Sequence, residues 1–242
     1  MVTHNGAKLT QELKAVAFSN HVDFIGIADP KVFDDIPVNE RPRGLLEDAR
    51  AVVVYSVKYR DADCLLDKNW YDQTDALLER IDKKLKEFLN GKGYKAHSFL
   101  KASAPHNLYG ELQRQAVGEG TPPHPGRWHE VFHKMRDAAV AAGLGCLNKN
   151  MMIIIPQYGP YHYLSMIITD APLKPDTPFD KDLCEGCNIC IEACPTSALS
   201  GGVLPDFDKC KPMDCHFTCL RVCNEKFQKQ QPSKSSRSKS RQ

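Results

Sequence analysis

Residues 184–195 read CEGCNICIEACP, and this stretch decides the fold of the C-terminal part of the chain. Eight of the ten cysteines fall between Cys184 and Cys223, whereas Cys64 and Cys146 stand apart. The N-terminus has neither an arginine pair nor an apolar signal core, which predicts a cytoplasmic protein that is not exported. In such a protein, clustered cysteines indicate bound metal rather than disulfides.

The first four cysteines have the spacing C-x2-C-x2-C-x3-C-P, from Cys184 to Pro195. This spacing is typical of bacterial ferredoxins that hold two [4Fe–4S] clusters. A tight loop directs the thiolates of Cys184, Cys187 and Cys190 at one cubane. The fourth, Cys194, begins a helix that faces away, and in such modules it ligates the other cluster. A zinc site is the alternative, but it would normally show paired C-x2-C knuckles.

A second set of four cysteines follows with the irregular spacing x4, x3, x3. By the ferredoxin rule, Cys223 completes the first cluster, and Cys194 joins the remaining members of the second set. The alternative is that one of the second four is not a ligand and that a single intact cluster remains. The sequence predicts two [4Fe–4S] clusters, with the metal ligands Cys184, Cys187, Cys190, Cys223, Cys194, Cys210, Cys215 and Cys219.

The composition is that of an ordinary globular protein with a basic end. With 242 residues, of which 42% are hydrophobic and 26% charged, the chain can form one medium domain and a small appended module. No stretch approaches the roughly 20 apolar residues of a membrane-spanning helix. The basic excess lies in residues 225–242, a Ser/Lys/Arg-rich tail that is predicted to be disordered and receives no function.

Strands alternate with helices over the first 170 residues, which predicts an α/β sandwich. Helices are predicted at residues 9–19, 74–90 and 128–142, and strands at 24–28, 51–57, 95–101, 151–155 and 161–169. Residues 103–127 are predicted to form a long loop of the kind that is often functional. The predicted domains are an α/β domain at 1–175, a two-cluster ferredoxin-like module at 176–224 and the tail at 225–242.

Ahead of the cysteines, one run of residues resembles a known family. Residues 142–150, AGLGCLNKN, resemble the A-G-L-G-x-x-G-K-[NH] segment of epoxyqueuosine reductases, and the related reductive dehalogenases carry a similar stretch. The similarity continues through Ile155–Pro160, Ile168–Asp170 and the cysteine run, and covers roughly residues 10–224. The resemblance implies a nitroreductase-like α/β domain that binds cobalamin beside the nearer cluster, in a reductase whose clusters pass electrons to cobalt.

The resemblance also implies where the corrinoid binds. Residues 150–166 would offer an apolar bed with backbone groups to a large flat ligand, although two core strands are the alternative. The predicted contacts are Asn150, Met151, Ile153, Gln157, Tyr158, Gly159 and Ser165.

The catalytic groups are where the sequence departs from the family. His129 occupies the position of the aspartate of epoxyqueuosine reductases, and its imidazole can donate a proton near neutral pH. The alternative is a helix-start histidine without chemistry. Dehalogenases use a tyrosine with a nearby cation, and Tyr109 and Lys149 could fill these roles. Asn148 replaces a glycine of the family, which leaves the substrate open.

The predicted function is a shortened corrinoid and iron–sulfur reductase that acts on a small organic substrate. Its electrons would come from an external low-potential donor of ferredoxin or flavodoxin type. Epoxyqueuosine reductases continue into a repeat domain that helps to hold transfer RNA, whereas this sequence ends soon after Cys223, so tRNA is not the expected substrate. One alternative is an iron–sulfur partner that reduces or carries a corrinoid for another enzyme. The other is a flavin-binding nitroreductase-like domain fused to ferredoxin clusters.

Overall fold

The computed structural model describes residues 4–35, 48–98, 135–201, 205–206 and 208–230. Its helices are α1 (His4–Ser19), α2 (Lys68–Gly91), α3 (Ile189–Glu192) and α4 (Thr218–Gln230), with a further helical segment at residues 135–141. Among the described residues, 3-10 turns span Pro30–Phe33 and Ala62–Leu66. The strands are β1 (Phe24–Ala28), β2 (Ala51–Lys58), β3 (Ala96–Ser98), β4 (Cys146–Leu147), β5 (Ile153–Ile154) and β6 (His162–Thr169).

Within the described residues, a four-stranded antiparallel sheet with the order β1-β2-β6-β3 forms the centre of the fold. β2 and β6 pair over their whole length, from Ala51 opposite Thr169 to Lys58 opposite His162. All residues of β2 except Lys58 are buried. This burial on both faces explains why β2 is a continuous apolar run and not an alternating one.

Helices α1 and α2 cover one face of this sheet. Their buried side chains recur at helical spacing and pack on the sheet residues Val53, Tyr55 and Ile167. They are Leu9, Leu13 and Ala17 in α1, and Leu78, Ile81, Leu85 and Leu89 in α2. The apolar period therefore predicted both helices, although it did not mark where they begin.

Helix α2 begins at Lys68, six residues before the predicted start. Asp67 caps the helix by accepting a hydrogen bond from the backbone N–H of Asn69. Trp70, in the added turn, packs edge-on against Tyr59 and Tyr163, with ring centroids 5.4 and 5.7 Å away. The cap and these aromatic contacts stabilise a first turn that has little apolar periodicity of its own.

The opposite face of the sheet is covered by the helical segment 135–141 and by residues 144–155. The contacting core residues are Met135, Ala138, Ala139, Ala142, Leu144, Ile153 and Ile155 on the covering layer, and Val52, Val54, Met166 and Ile168 on the sheet. Helical elements on both faces of a sheet confirm the mixed α/β class.

The two apolar runs near residue 155 belong to different sheets. The sequence predicts strands at 151–155 and 161–169 that are joined by a turn, but β5 pairs with β4, and β6 pairs with β2 and β3. A turn between β4 and β5 closes this small hairpin. There the Asn148 side-chain oxygen accepts hydrogen bonds from the backbone N–H groups of Asn150 and Met152.

The segment that leads to the cysteine module is held on the α/β domain. The backbone N–H of Asp176 donates to the carbonyl of Ile27, and the Asp176 carboxylate accepts from the Ile27 N–H, both at 2.8 Å. The same carboxylate forms an ion pair with Lys14 at 2.7 Å. The segment therefore extends along the edge of β1 and is fixed to α1.

Helix α4 continues to Gln230, beyond the predicted end of the module at residue 224. The prediction of a disordered tail is thus corrected for residues 225–230, which are helical. Phe227 explains the extension, because it is 9% exposed and packs with Cys146 and Ile154. Residues 231–242 lie outside the described residues.

Other predictions also fall outside the part of the chain that the structure describes. These are the long loop at residues 103–127, the first part of the helix at 128–142 and the end of the strand at 95–101. Of the helices that are described, none combines the length and the apolar character needed to cross a membrane.

Candidate metal centre

A first group of thiols lies where α3 packs against α4. Cys223 of α4 interacts electrostatically with Cys184, Cys190 and Cys187. Burial, followed by these neighbouring thiols, raises the pKa of Cys223 to about 12, and burial raises that of Cys184 to about 11. Such thiols remain protonated at neutral pH, and a metal that binds them must displace their protons.

A second group of thiols lies beside the first. Burial raises the pKa of Cys219 to about 12, and neighbouring thiols add to this rise, in the order Cys215, Cys210, Cys190 and Cys194. Cys210 in turn interacts with Cys215 and Cys194. The interaction between Cys219 and Cys190 connects the two groups. Members of the second group are only partly buried, whereas Cys184, Cys190 and Cys223 are buried.

Backbone amides point at several of these sulfurs. The amide of Lys149 donates to Cys184, that of Ile189 to Cys187 and that of Ile191 to Cys190. Cys194 accepts from the amides of Leu199, Ala198 and Thr196. Amide donors around cysteine sulfurs are one of the features that set the potential of an iron–sulfur cluster. Soft thiol donors surrounded by amides fit an iron–sulfur cluster.

No three Cys, His, Asp or Glu side chains among the described residues converge at the spacing of a single metal ion. A [4Fe–4S] cubane binds four thiolates, each through a different iron. Its ligands stand further apart than those of one ion, so the wider arrangement of the thiols is compatible with a cubane.

Two side chains also donate to the first group. Asn148 Nδ2 donates to Cys223 Sγ at 3.5 Å, and Lys226 Nζ donates to Cys187 Sγ at 3.2 Å. Burial raises the pKa of Cys187, but the amide of Ile189 and the ammonium of Lys226 outweigh it and lower the net value. Cys187 is therefore the thiol of this group whose anionic form is best stabilised.

One attachment of the module to the α/β domain is formed by the hairpin of β4 and β5 and the turn after it. Asn150 Nδ2 donates to the Cys219 carbonyl at 3.1 Å. Gly159, with φ of 100°, approaches the ring of Phe227 so closely that a Cβ atom there would lie 2.8 Å from it. On the other side, Arg221 forms an ion pair with Asp63 at 2.7 Å. The segment that resembles the reductase family thus contributes to holding the cysteine module in place.

The structure describes one of the three predicted catalytic residues. Lys149 Nζ donates to the Cys187 carbonyl and to Asn188 Oδ1, both at 2.8 Å, which places its ammonium on the cysteine loop. His129 and Tyr109 lie outside the described residues. Among the described residues, therefore, only Lys149 of the three has a defined position.

The predicted corrinoid contacts fall into three places. Asn150 and Gly159 lie at the contact with the module, whereas Met151, Ile153 and Ser165 are buried. Gln157 is exposed. Tyr158 is partly buried, and its hydroxyl donates to the Tyr59 carbonyl at 2.7 Å.

Sequence reasoning missed the donors to sulfur. Asn148 drew attention only as a replacement for a family glycine, and Lys226 was assigned to the tail. Lys226 stands three residues after Cys223, so the helical period would have placed the two side by side had α4 been extended past 224. Nothing in the sequence marks Asn148 as a sulfur donor.

Comparison with known proteins places these features in a family context. Residues 177–200 match the model of the 4Fe-4S binding domain, which supports an iron–sulfur cluster in the module. Over 230 residues, the chain is 30% identical to an epoxyqueuosine reductase of Bacillus subtilis (strain 168), an alignment that covers 81% of the chain. The chain is a relative of the epoxyqueuosine reductases.

The match covers 52% of the Bacillus protein, so the chain spans about half the length of that curated relative. A solved epoxyqueuosine reductase in complex with an epoxyqueuosine-modified tRNA-Tyr stem loop is 26% identical, with a TM-score of 0.58 over 84% of this chain and 56% of that one. The fold also resembles the catabolic reductive dehalogenase NpRdhA in complex with 3-bromo-4-hydroxybenzoic acid. That likeness has a TM-score of 0.62 at 16% identity and covers 91% of this chain and 32% of that one.

Proposed function

We propose that this chain is an oxidoreductase of the epoxyqueuosine reductase type, in which two [4Fe–4S] clusters deliver electrons to a corrinoid. The observation that supports it is the division of eight cysteines into two adjacent groups of thiols. One group would be Cys184, Cys187, Cys190 and Cys223, and the other Cys194, Cys210, Cys215 and Cys219. The electrostatic interactions among the thiols follow this division except at Cys219, which also interacts with Cys190 of the first group.

The surroundings of the two groups favour a direction of electron flow. The second group is less buried, so it is the better entry point for an external donor of ferredoxin or flavodoxin type. The first group packs against β4 and β5 and is the better exit toward the α/β domain. When bound, the clusters supply one-electron transfer and the corrinoid supplies reduction at cobalt.

The chain's own residues have clear tasks in this proposal. Asn148 and Lys226 donate hydrogen bonds to sulfur and stabilise negative charge there. Lys149 fixes the loop that carries Cys187. The burial of Cys184, Cys190 and Cys223 limits the access of water to the first group. His129 and Tyr109 are the proposed proton donors.

Corrinoid binding rests on the resemblance to the reductase family. The contacts proposed for it are those predicted from the sequence, and Asn150 and Gly159 support it best because they lie beside the cysteine module. Ile153 and Ser165 would act only as part of the underlying core.

The substrate is proposed from the relatives. An epoxyqueuosine reductase has been solved with a modified tRNA stem loop, which makes epoxyqueuosine in RNA the first substrate to test. A small organic substrate is the second, favoured by a fold that is shared with a dehalogenase. The expectation that tRNA is not the substrate came from where the sequence ends, which says nothing about the site itself.

Metal analysis of protein purified without oxygen and mixed with cobalamin tests the cofactor part. Two cubanes require about eight irons per chain, and a bound corrinoid adds about one cobalt and shifts the visible bands. The C223S variant should lose iron, whereas C64S, at an isolated cysteine, should keep it. Full iron without any cobalt would contradict the corrinoid part and leave an electron-transfer protein.

Turnover separates an enzyme from a redox partner. The reduced, cobalamin-loaded protein is incubated with an epoxyqueuosine-containing stem loop or with 3-bromo-4-hydroxybenzoic acid, and the product is measured. An enzyme converts one of them without a second protein, whereas a redox partner changes only the oxidation state of the corrinoid. Full turnover in both H129A and Y109F would remove the proposed proton donors.

A further inference from the structure

Cys187 is contacted by two lysines that come from different parts of the chain. Lys226 of α4 is partly buried and lies with its Nζ 3.2 Å from the Cys187 sulfur. Lys149, from the turn between β4 and β5, donates to the Cys187 carbonyl and to Asn188 at 2.8 Å. Lys226 therefore acts on the sulfur itself, whereas Lys149 acts on the backbone of the loop.

A cation in this position favours the reduced state of a cluster. Reduction adds one negative charge to the cluster, and a nearby positive charge lowers the free energy of the more negative state. A charge-assisted hydrogen bond to sulfur acts in the same direction, because it withdraws electron density from the ligand. Partial burial strengthens both effects relative to a lysine in bulk water.

We propose that Lys226 raises the reduction potential of the cluster bound by Cys187, so that this cluster accepts electrons from the other one. The inference rests on the proposed two-cluster function. It makes Lys226 a positioning residue for electron flow, acting through Cys187 and not on the substrate.

The test is a redox titration of anaerobically purified protein, followed by electron paramagnetic resonance, on four variants. K226M removes both the charge and the donor, K226Q keeps a neutral donor, and K226R keeps the charge. K229M is the matched control, since the exposed Lys229 has the same charge on the same helix. Iron is measured on every sample.

In K226M, one of the two midpoint potentials should fall. At a fixed solution potential, the ratio of reduced to oxidised cluster should drop about tenfold, which equals about 59 mV for one electron. K226Q should lie between K226M and the unsubstituted protein. K226R and K229M should change the ratio less than about twofold, or about 18 mV on the same scale.

Full iron with unmoved potentials in K226M overturns this inference alone. Iron loss in K226M, K226Q and K226R alike also overturns it, because Lys226 would then be needed for assembly and not for the potential. An equal shift of the midpoint potential in K229M would also overturn it, because the overall charge of the protein, and not the contact of Lys226 with Cys187, would then set the potential. Only about four irons or fewer in the unsubstituted protein, where two cubanes require about eight, would overturn the proposed two-cluster function first, and the two failures are thereby distinguished.

Discussion

The attachment of the cysteine module can be tested at Gly159. This residue has φ of 100°, and a Cβ atom added to it would lie 2.8 Å from Cδ1 of Phe227 and 3.2 Å from Oδ1 of Asn224. Carbon atoms in contact prefer about 3.5–4.0 Å, so G159A must displace the Phe227 ring, and we expect α4 to shift with it. Cys223 stands one helical turn before Phe227 on the same helix, and it will move with it.

Two further glycines serve as controls. They separate the cost of backbone strain at Gly159 from the cost of the steric overlap with Phe227. Gly91 ends α2 with open space around its Cα, and Gly93, with φ of 87°, also has open space. Alanine at Gly91 should be neutral or stabilise by up to about 1 kcal/mol. Alanine at Gly93 should cost about 1–2 kcal/mol through its backbone alone. At Gly159 the same strain is joined by about 1–3 kcal/mol of overpacking, or about 2–5 kcal/mol together.

Thermal unfolding and iron release distinguish these three variants. For a chain of this size, 1 kcal/mol shifts the midpoint by about 2–4 °C, so we expect losses of about 4 °C for G93A and about 10 °C for G159A. The decisive measurement is the rate of iron loss to a chelator, which should rise only in G159A because only this contact reaches Cys223. If G93A and G159A lose iron at the same rate, the contact with Phe227 does not hold the ligand helix.

Two other predictions concern the buried His162 and the partly buried Asp176. Burial lowers the pKa of His162 from 6.5 to about 4, so its folded state resists protonation and stability should fall as pH decreases from about 6.5 toward 4. Between pH 7 and 5 the free energy of unfolding should fall by about 2 kcal/mol for this reason. Urea unfolding of H162Q should lack that part of the pH dependence. A free energy of unfolding that varies with pH in H162Q as it does in the unsubstituted protein would contradict the prediction. D176A should destabilise by about 1–3 kcal/mol, since it leaves the Ile27 N–H without its acceptor. D176N should cost less, and D180N, at an exposed position, should be neutral in the same urea assay.

The sequence predicted best those elements whose patterns are local. β1 was predicted with its observed bounds, and β2 and β6 within one residue at either end, because continuous apolar runs bounded by polar residues are typical of buried strands. The cores of α1 and α2 followed from leucines at helical spacing. The cysteine run at 184–195 was recognised because its spacing alone indicates a [4Fe–4S] loop.

Elements that depend on distant contacts could not be predicted in the same way. β4 has only two residues and exists because Cys146 and Leu147 pair with β5 across a turn that Asn148 closes. The last turns of α4 depend on Phe227, whose partners Cys146 and Ile154 lie about 70–80 residues earlier in the chain. Lys226 could be recognised as a donor to sulfur only after that helix was known to continue.

The irregular spacing of the second cysteine set has a structural cause. His216 and Phe217 have φ of 50° and 55°, so two consecutive residues with side chains adopt the left-handed conformation just before α4. Each costs about 1–2 kcal/mol. Phe217 is 8% exposed and belongs to the core beneath α1 and α2, and its burial contributes about 1.5–3 kcal/mol, enough to offset most of this strain.

Because of this turn, Cys215 lies outside the helix that carries Cys219, although the two residues are only four positions apart in the sequence. Residues with that spacing in one helix would share a face, as Cys219 and Cys223 do in α4. The reversal at His216 and Phe217 instead lets Cys215 approach Cys219 from outside the helix, where the two thiols interact. No regular spacing can describe thiols that come from both a turn and a helix. The number of cysteines in a short stretch is therefore the only local sequence signal for this set. The burial of Phe217 stabilises the turn that brings Cys215 close to Cys219.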